Sequence, residues 1–192
     1  MARLDDLEPL EPSDRATLRA WLEVNHGSSP GVWLAVGKKN GQRTTLGYVD
    51  AVEEALAFGW IDSTTHALDA DRFRILFTPR KPKSTWSRSN KDRVERLTAT
   101  GHMAEAGLAA VERAKANGSW TFLDDIDALV VPDDLAAALA ASPAAEKRFG
   151  TMSASAKRLA LYWIASAKRP ETRSRRIATT VKNAEAGKPP HE

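Results

Sequence analysis

DRFRILFTP, residues 71–79, decides the fold class. Phe73, Ile75 and Phe77 fall on one side of an extended chain, and Arg72, Arg74 and Leu76 on the other, because successive strand side chains alternate between faces. A half-buried alternation of this kind marks an antiparallel strand with one face on a core. WIDSTTHAL (60–68), just before it, reads as its neighbour, and VWLAVGKK (32–39), rich in β-branched and aromatic residues, as a third strand. NGQRTT (40–45) reads as a turn, since Asn-Gly supplies the positive φ of tight reversals.

Helices surround these strands. Ser13 is placed to cap a helix reaching Asn25, with Leu18, Trp21 and Leu22 as its apolar stripe. Asp50 and Glu53 have capping-box spacing before AVEEALAF, and Gly59 suits the stop. The order helix, strand, helix, strand, strand predicts an α+β fold, with a small antiparallel sheet and covering helices. Beyond Asn90 the pattern is helical, over 91–100, 103–117, 133–141, 143–149, 155–168 and 170–186. Residues 1–12 read as an irregular arm and 13–118 as the α+β domain. Residues 119–132 read as an acidic connector, and 133–192 as a helical C-terminal region packed on the first domain.

A chain of 192 residues, 42% hydrophobic with six tryptophans, is long enough to bury a real core. It has no cysteine, which excludes disulfides, thiolate metal sites and a thiol nucleophile. His26, His66, His102 and His191 are scattered, and none has the i, i+4 spacing of a zinc helix. GxSxG, Walker-type and GxGxxG motifs are absent too, so the reading includes no metal, no cofactor and no catalytic residue. The acidic start MARLDDLEPLEPSDR has no signal-like apolar run, and no stretch reaches the roughly 18–20 apolar residues of a membrane span. A cytoplasmic protein without membrane insertion is expected.

Charge is unevenly distributed. Residues 72–96 and residues 157–188 each hold nine Lys or Arg against two acids, +7 apiece, while the whole chain nets only +3. The remaining residues therefore carry −11, the difference between +3 and +14. Such segregation builds positive fields. In FTPRKPKSTWSRSN (77–90), Pro79 and Pro82 favour extended backbone that spreads Arg80, Lys81 and Lys83, with Trp86 nearby as a stacking surface. That combination suits a polyanion such as nucleic acid; the alternative is a core tryptophan beneath a solvated loop. In AKRPETRSRRI (167–177), Arg173, Arg175 and Arg176 offer forked donors for phosphate or carboxylate, or alternatively clamp the acidic connector. Trp60, Asp62 and Ser63, in GWIDS, could line a pocket with Asp62 as base, or Asp62 could simply pair with an arginine.

Three blocks carry a resemblance: DAVEEALAFGWIDS (50–63), FTPRKPKSTWSRSNKDRVERL (77–97) and SASAKRLALYWIASAKRPETRSRRI (153–177). They resemble the YdeI/OmpD-associated (bacteriocin-protection) family, over about residues 21–187, with Ala57 standing where many relatives carry cysteine. The resemblance implies an α+β front half like small bacterial domains of the DUF1801 type, followed by a helical tail. It also implies protection against bacteriocins or cationic antimicrobial peptides, an outer-membrane porin as partner, and for some relatives a periplasmic address. Three functions are thus expected in order. First comes a non-enzymatic stress or envelope-resistance accessory protein that binds an anionic partner through Arg80, Lys81, Lys83, Trp86, Arg173, Arg175 and Arg176. The second is an enzyme acting on a phosphate-bearing or carboxylate small molecule around Asp62, Ser63 and Arg80. The third is a protein-interaction scaffold.

Overall fold

The structure is a computed structural model that describes residues 7, 9–39 and 44–189. The chain divides into two compact units, Met1–Thr121 and Phe122–Glu192. The first unit contains, in order, β1 (Pro9–Leu10), α1 (Arg15–Asn25), β2 (Val32–Gly37), α2 (Tyr48–Ala57), β3 (Trp60–Ala67), β4 (Arg72–Pro79), α3 (Arg88–Ala99) and α4 (Glu105–Ala116). Its sheet runs β1-β2-β4-β3, with β1 parallel to β2 and the other pairs antiparallel. The α+β class is as expected, but the sheet is mixed, because Pro9–Leu10 of the supposedly irregular arm adds an edge strand. Proline is tolerated there, where no ladder N–H is needed of it, and Leu10 packs on the core.

Register explains the alternation of β4. Phe77, Ile75 and Phe73 face Val32, Leu34 and Val36 across the ladder, and this apolar layer packs with Leu18, Leu22, Val52 and Ala55 from α1 and α2. On the other face Trp33, Ala35 and Leu76 are buried as well, so β2 reads as an unbroken apolar run. Arg74 lies over the Trp33 ring at 4.7 Å.

Two caps differ from expectation. Asp14, not Ser13, caps α1 by accepting from Thr17 N at 2.8 Å. Gly47 caps α2, which leaves Asp50 and Glu53 inside the helix, where Arg15 and Arg96 hold their carboxylates. The predicted turn at 40–45 lies mostly outside the described residues.

A second small core joins α2, α3 and α4 through Leu56, Trp86, Val94, Leu97, Ala110, Val111 and Ala114. Here α4 lies backbone against backbone on the end of α2. A Cβ on Gly107 would sit 2.1 Å from the Ala57 carbonyl oxygen, which also accepts from Ala104 N at 3.1 Å. Only glycine permits that approach.

The second unit is all-helical: α5 (Asp124–Asp127), α6 (Asp133–Ala140), α7 (Pro143–Thr151), α8 (Ala154–Ala165) and α9 (Pro170–Glu185). Leu135, Leu139, Phe149, Leu161, Ile164 and Ile177 form its core, with Ile126 of the acidic stretch buried among them. No helix among the described residues is long and apolar enough to cross a membrane.

Candidate functional site

Strand β4 ends at Pro79 and delivers Arg80 into the interior instead of to solvent. Its backbone N donates to the Gly59 carbonyl at 3.0 Å, and its side chain is only 7% exposed. The guanidinium carbon lies 3.7 Å from the centre of the Trp86 ring, and Trp86, 1% exposed, is tilted against Trp120 at 5.0 Å. Arg80 Nη1 donates to the Thr85 carbonyl at 3.2 Å, while Nε and Nη2 are buried without a partner. Burial pulls this guanidinium down to about 10, against a smaller opposing pull from the negative charge of Asp62. That depression corresponds to about 3 kcal/mol of desolvation, of which stacking on a buried indole returns about 2 kcal/mol.

Further cations gather around the two indoles from elements distant in sequence. Lys91 of α3 and Lys115 of α4 lie 5.5 and 5.8 Å from the centre of the Trp120 ring. Lys81 and Arg113 line a cavity of about 10 Å³ with Arg80, Pro82, Trp86, Ala110 and Ala114. Lys115 pairs with Glu112 at 2.9 Å, whereas Lys81 and Arg113 are exposed and have no carboxylate partner among the described residues. Asn117, just past α4, fastens the corner: its Nδ2 donates to the Pro82 carbonyl at 2.7 Å and its Oδ1 accepts from Ser119 N at 3.0 Å. Ser119 Oγ is the remaining buried side-chain atom without a partner among the described residues. The orphaned polar atoms thus belong to Arg80 and Ser119, each two residues from an end of the Asn117–Pro82 link. Larger hollows occur in the second unit, among them one of about 610 Å³ beside Lys147, Arg148 and Gly187, whose described lining residues include no such group.

The expected binding residues have divergent fates. Lys81 and Lys83 are exposed, as a binding surface requires. Arg80 and Trp86 are withdrawn from it, because α4 covers the loop and makes the tryptophan a core residue. In the second unit Arg173 is taken up internally: Nε and Nη2 donate to Asp134 at 2.6 and 2.8 Å. Hydrogen bonding to Arg173 holds the Asp134 carboxyl below its ordinary range. Arg176 donates to Ser166 Oγ at 2.9 Å and to the Trp163 carbonyl, and stacks on the Trp163 ring at 5.2 Å. Arg175 alone of the three is exposed.

The expected pocket at Trp60, Asp62 and Ser63 does not assemble. Trp60 is sealed in the core, with Nε1 donating to the His26 carbonyl at 3.1 Å. Tyr48 donates to Asp62 at 2.9 Å, and burial, then Asp62, pushes the phenol upward. Ser63 donates across the ladder to the Leu76 carbonyl at 3.2 Å. Each of the three groups is engaged by a different element, so they do not converge on one pocket.

Sequence reading missed Arg113, Lys115 and Trp120, whose only signal was the basic last turn of a helix ending near an aromatic. It also missed a buried carboxylate cluster on α2. Glu54 is 2% exposed and receives Arg15 and Arg19, while Glu53 receives Arg15 and Arg96. Burial raises Glu53, but the two arginines prevail and hold it below its ordinary value. Every charge there is matched, which makes the cluster a structural joint between α1, α2 and α3.

An α+β domain with a cationic corner, followed by a helical bundle, is the class the geometry defines. Residues 10–110 match the family model described as "Domain of unknown function (DUF8412)"; the match spans more than half of the chain, which belongs to that family. Residues 128–187 match the model described as "Bacteriocin-protection, YdeI or OmpD-Associated", which bears out the resemblance. The two matches fall one in each unit, so the likeness read across residues 21–187 is shared between two family models. No curated protein and no solved structure matches the chain.

Proposed function

We propose that this is a non-enzymatic accessory protein that engages an anionic partner through the cationic corner of its first unit. The observation that carries the reading is the convergence of Arg80, Lys81, Lys91, Arg113 and Lys115 on the Trp86–Trp120 pair, with the Nε and Nη2 of Arg80 buried without a partner and Lys81 and Arg113 exposed beside it. Like charges gathered this closely repel one another, and an anion relieves that repulsion. The resistance role named in the bacteriocin-protection description fits an accessory of this kind, and we carry it over as part of the proposal. A cationic peptide is not what this corner would attract; its partner is the negatively charged one.

The test is fluorescence anisotropy of labelled single-stranded DNA and of heparin over a salt series. The wild type is expected to bind with affinity falling steeply as salt rises. Lys81→Glu, Lys83→Glu and Arg113→Glu together are expected to flatten the dependence. These three side chains are exposed, so reversal leaves the core intact. Equal binding by the wild type and the triple variant would refute the reading.

A further inference from the structure

We infer that the Nε–Nη2 edge of Arg80 is the receptor for a phosphate group, taken as inorganic phosphate or a phosphate monoester. This rests on reading the corner as anion-binding and goes further, to one side chain and one chemistry. In a guanidinium, Nε–H and one Nη2–H point the same way and form a fork matched to two oxygens of an oxyanion. The chain fills that fork elsewhere. Arg173 grips Asp134 with it, and Arg72 donates from the same two nitrogens to Asp69 Oδ2 at 3.0 and 2.9 Å. At Arg80 the same edge is buried and empty. A buried donor without an acceptor costs about 1–3 kcal/mol, and more when charged, so a native structure that keeps two of them calls for an occupant.

The surroundings specify the occupant's charge and size. Arg80, Lys81 and Arg113 line the cavity with three cations and no acid, which favours a dianion over a carboxylate. Asp62 acts on Arg80 from outside that lining and is itself held by Tyr48. A volume of about 10 Å³ admits one oxygen-sized group. Seating two oxygens therefore requires the turn closed by Ser84 N on the Lys81 carbonyl to lift, against the hold of Asn117 on Pro82. The rest of the phosphate then extends outward between Lys81 and Arg113.

The experiment is thermal unfolding and titration calorimetry of the full chain with sodium phosphate, acetate and chloride at fixed ionic strength. Phosphate is expected to raise the midpoint by roughly 2–5 °C near saturation, acetate by less, and chloride not at all. Arg80→Lys, which keeps the charge and loses the fork, is expected to abolish the phosphate increment. Arg113→Gln, at an exposed position that leaves folding intact, is expected to weaken phosphate several-fold. Phosphate acting no differently from chloride on the wild type overturns the inference, and so does an undiminished increment in Arg80→Lys or, should that variant not fold, in Arg113→Gln. If polyanions bind while phosphate has no effect, the inference fails and the broader reading stands. If phosphate registers while polyanions do not bind, the broader reading fails and the Arg80 site stands.

Discussion

Arg80 and Arg173 sit in segments that look alike in sequence, each netting +7, yet one presents an empty fork and the other a filled one. Arg173 lies on a half-exposed helix face opposite Asp134, so its charge is matched in place. Arg80 follows a strand into the interior, is covered by α4 and meets an indole instead of a carboxylate. Net charge therefore says little about which basic segment can receive an anion. What distinguishes them is whether the fold supplies the counter-charge.

That contrast is open to direct perturbation. The largest effect is expected from Trp86→Ala, which removes the buried platform under Arg80; a loss of about 3–5 kcal/mol in urea unfolding is expected. A loss under 1 kcal/mol would place the ring at the surface and undo the contrast. Glu53→Gln should follow at about 1–2 kcal/mol, since it removes the charge of a buried carboxylate that the partly exposed Arg96 and Arg15 hold. Because the folded Glu53 carboxyl lies below its ordinary value, its stabilisation is present above the unfolded value, about 4.3, and is lost as pH falls through the folded one. The acid limb of stability against pH should accordingly flatten in Glu53→Gln.

Arg80→Met is expected to change phosphate-free stability by no more than about 1 kcal/mol, because removal of a buried charge offsets the loss of its stacking and of the Nη1 bond to the Thr85 carbonyl. A drop beyond 2 kcal/mol would make Arg80 a structural arginine. The smallest effect is expected from Asp134→Asn, below about 1 kcal/mol, since that pair is a third to a half exposed. The lowered Asp134 value means that this contribution too is present above the unfolded value, about 3.9, and disappears as pH falls through the folded one. Asp134→Asn also weakens the occupant of the Arg173 fork, and a new, weak phosphate response in calorimetry would show the two arginines differing by their partner alone.

Local pattern carried most of the fold. The alternation in β4, the apolar run of β2 and the helical periods all follow from side-chain spacing, and they placed the α+β half and the helical half correctly. The parallel edge strand Pro9–Leu10 escaped because two residues carry no period. The caps at Asp14 and Gly47 escaped because several polar residues competed for each role. The site was less legible. Lys81 and Lys83 read as exposed and are exposed. Arg80 and Trp86 share the same loop and are buried, because α4 closes over them from some thirty residues away. Arg113 and Trp120 join the corner for the same topological reason, which no local spacing encodes.

The approach of α4 to α2 at Gly107 carries a consequence for inheritance. A single added carbon there would collide with the Ala57 carbonyl and lever α4 outward, carrying Arg113 and Asn117 with it. The corner's tolerance of change is thus governed from a position that bears no charge and touches no anion. Among descendants of this sequence, drift at Lys81 or Lys83 should be forgiven one residue at a time, while a change at Gly107 would dismantle the arrangement at one stroke.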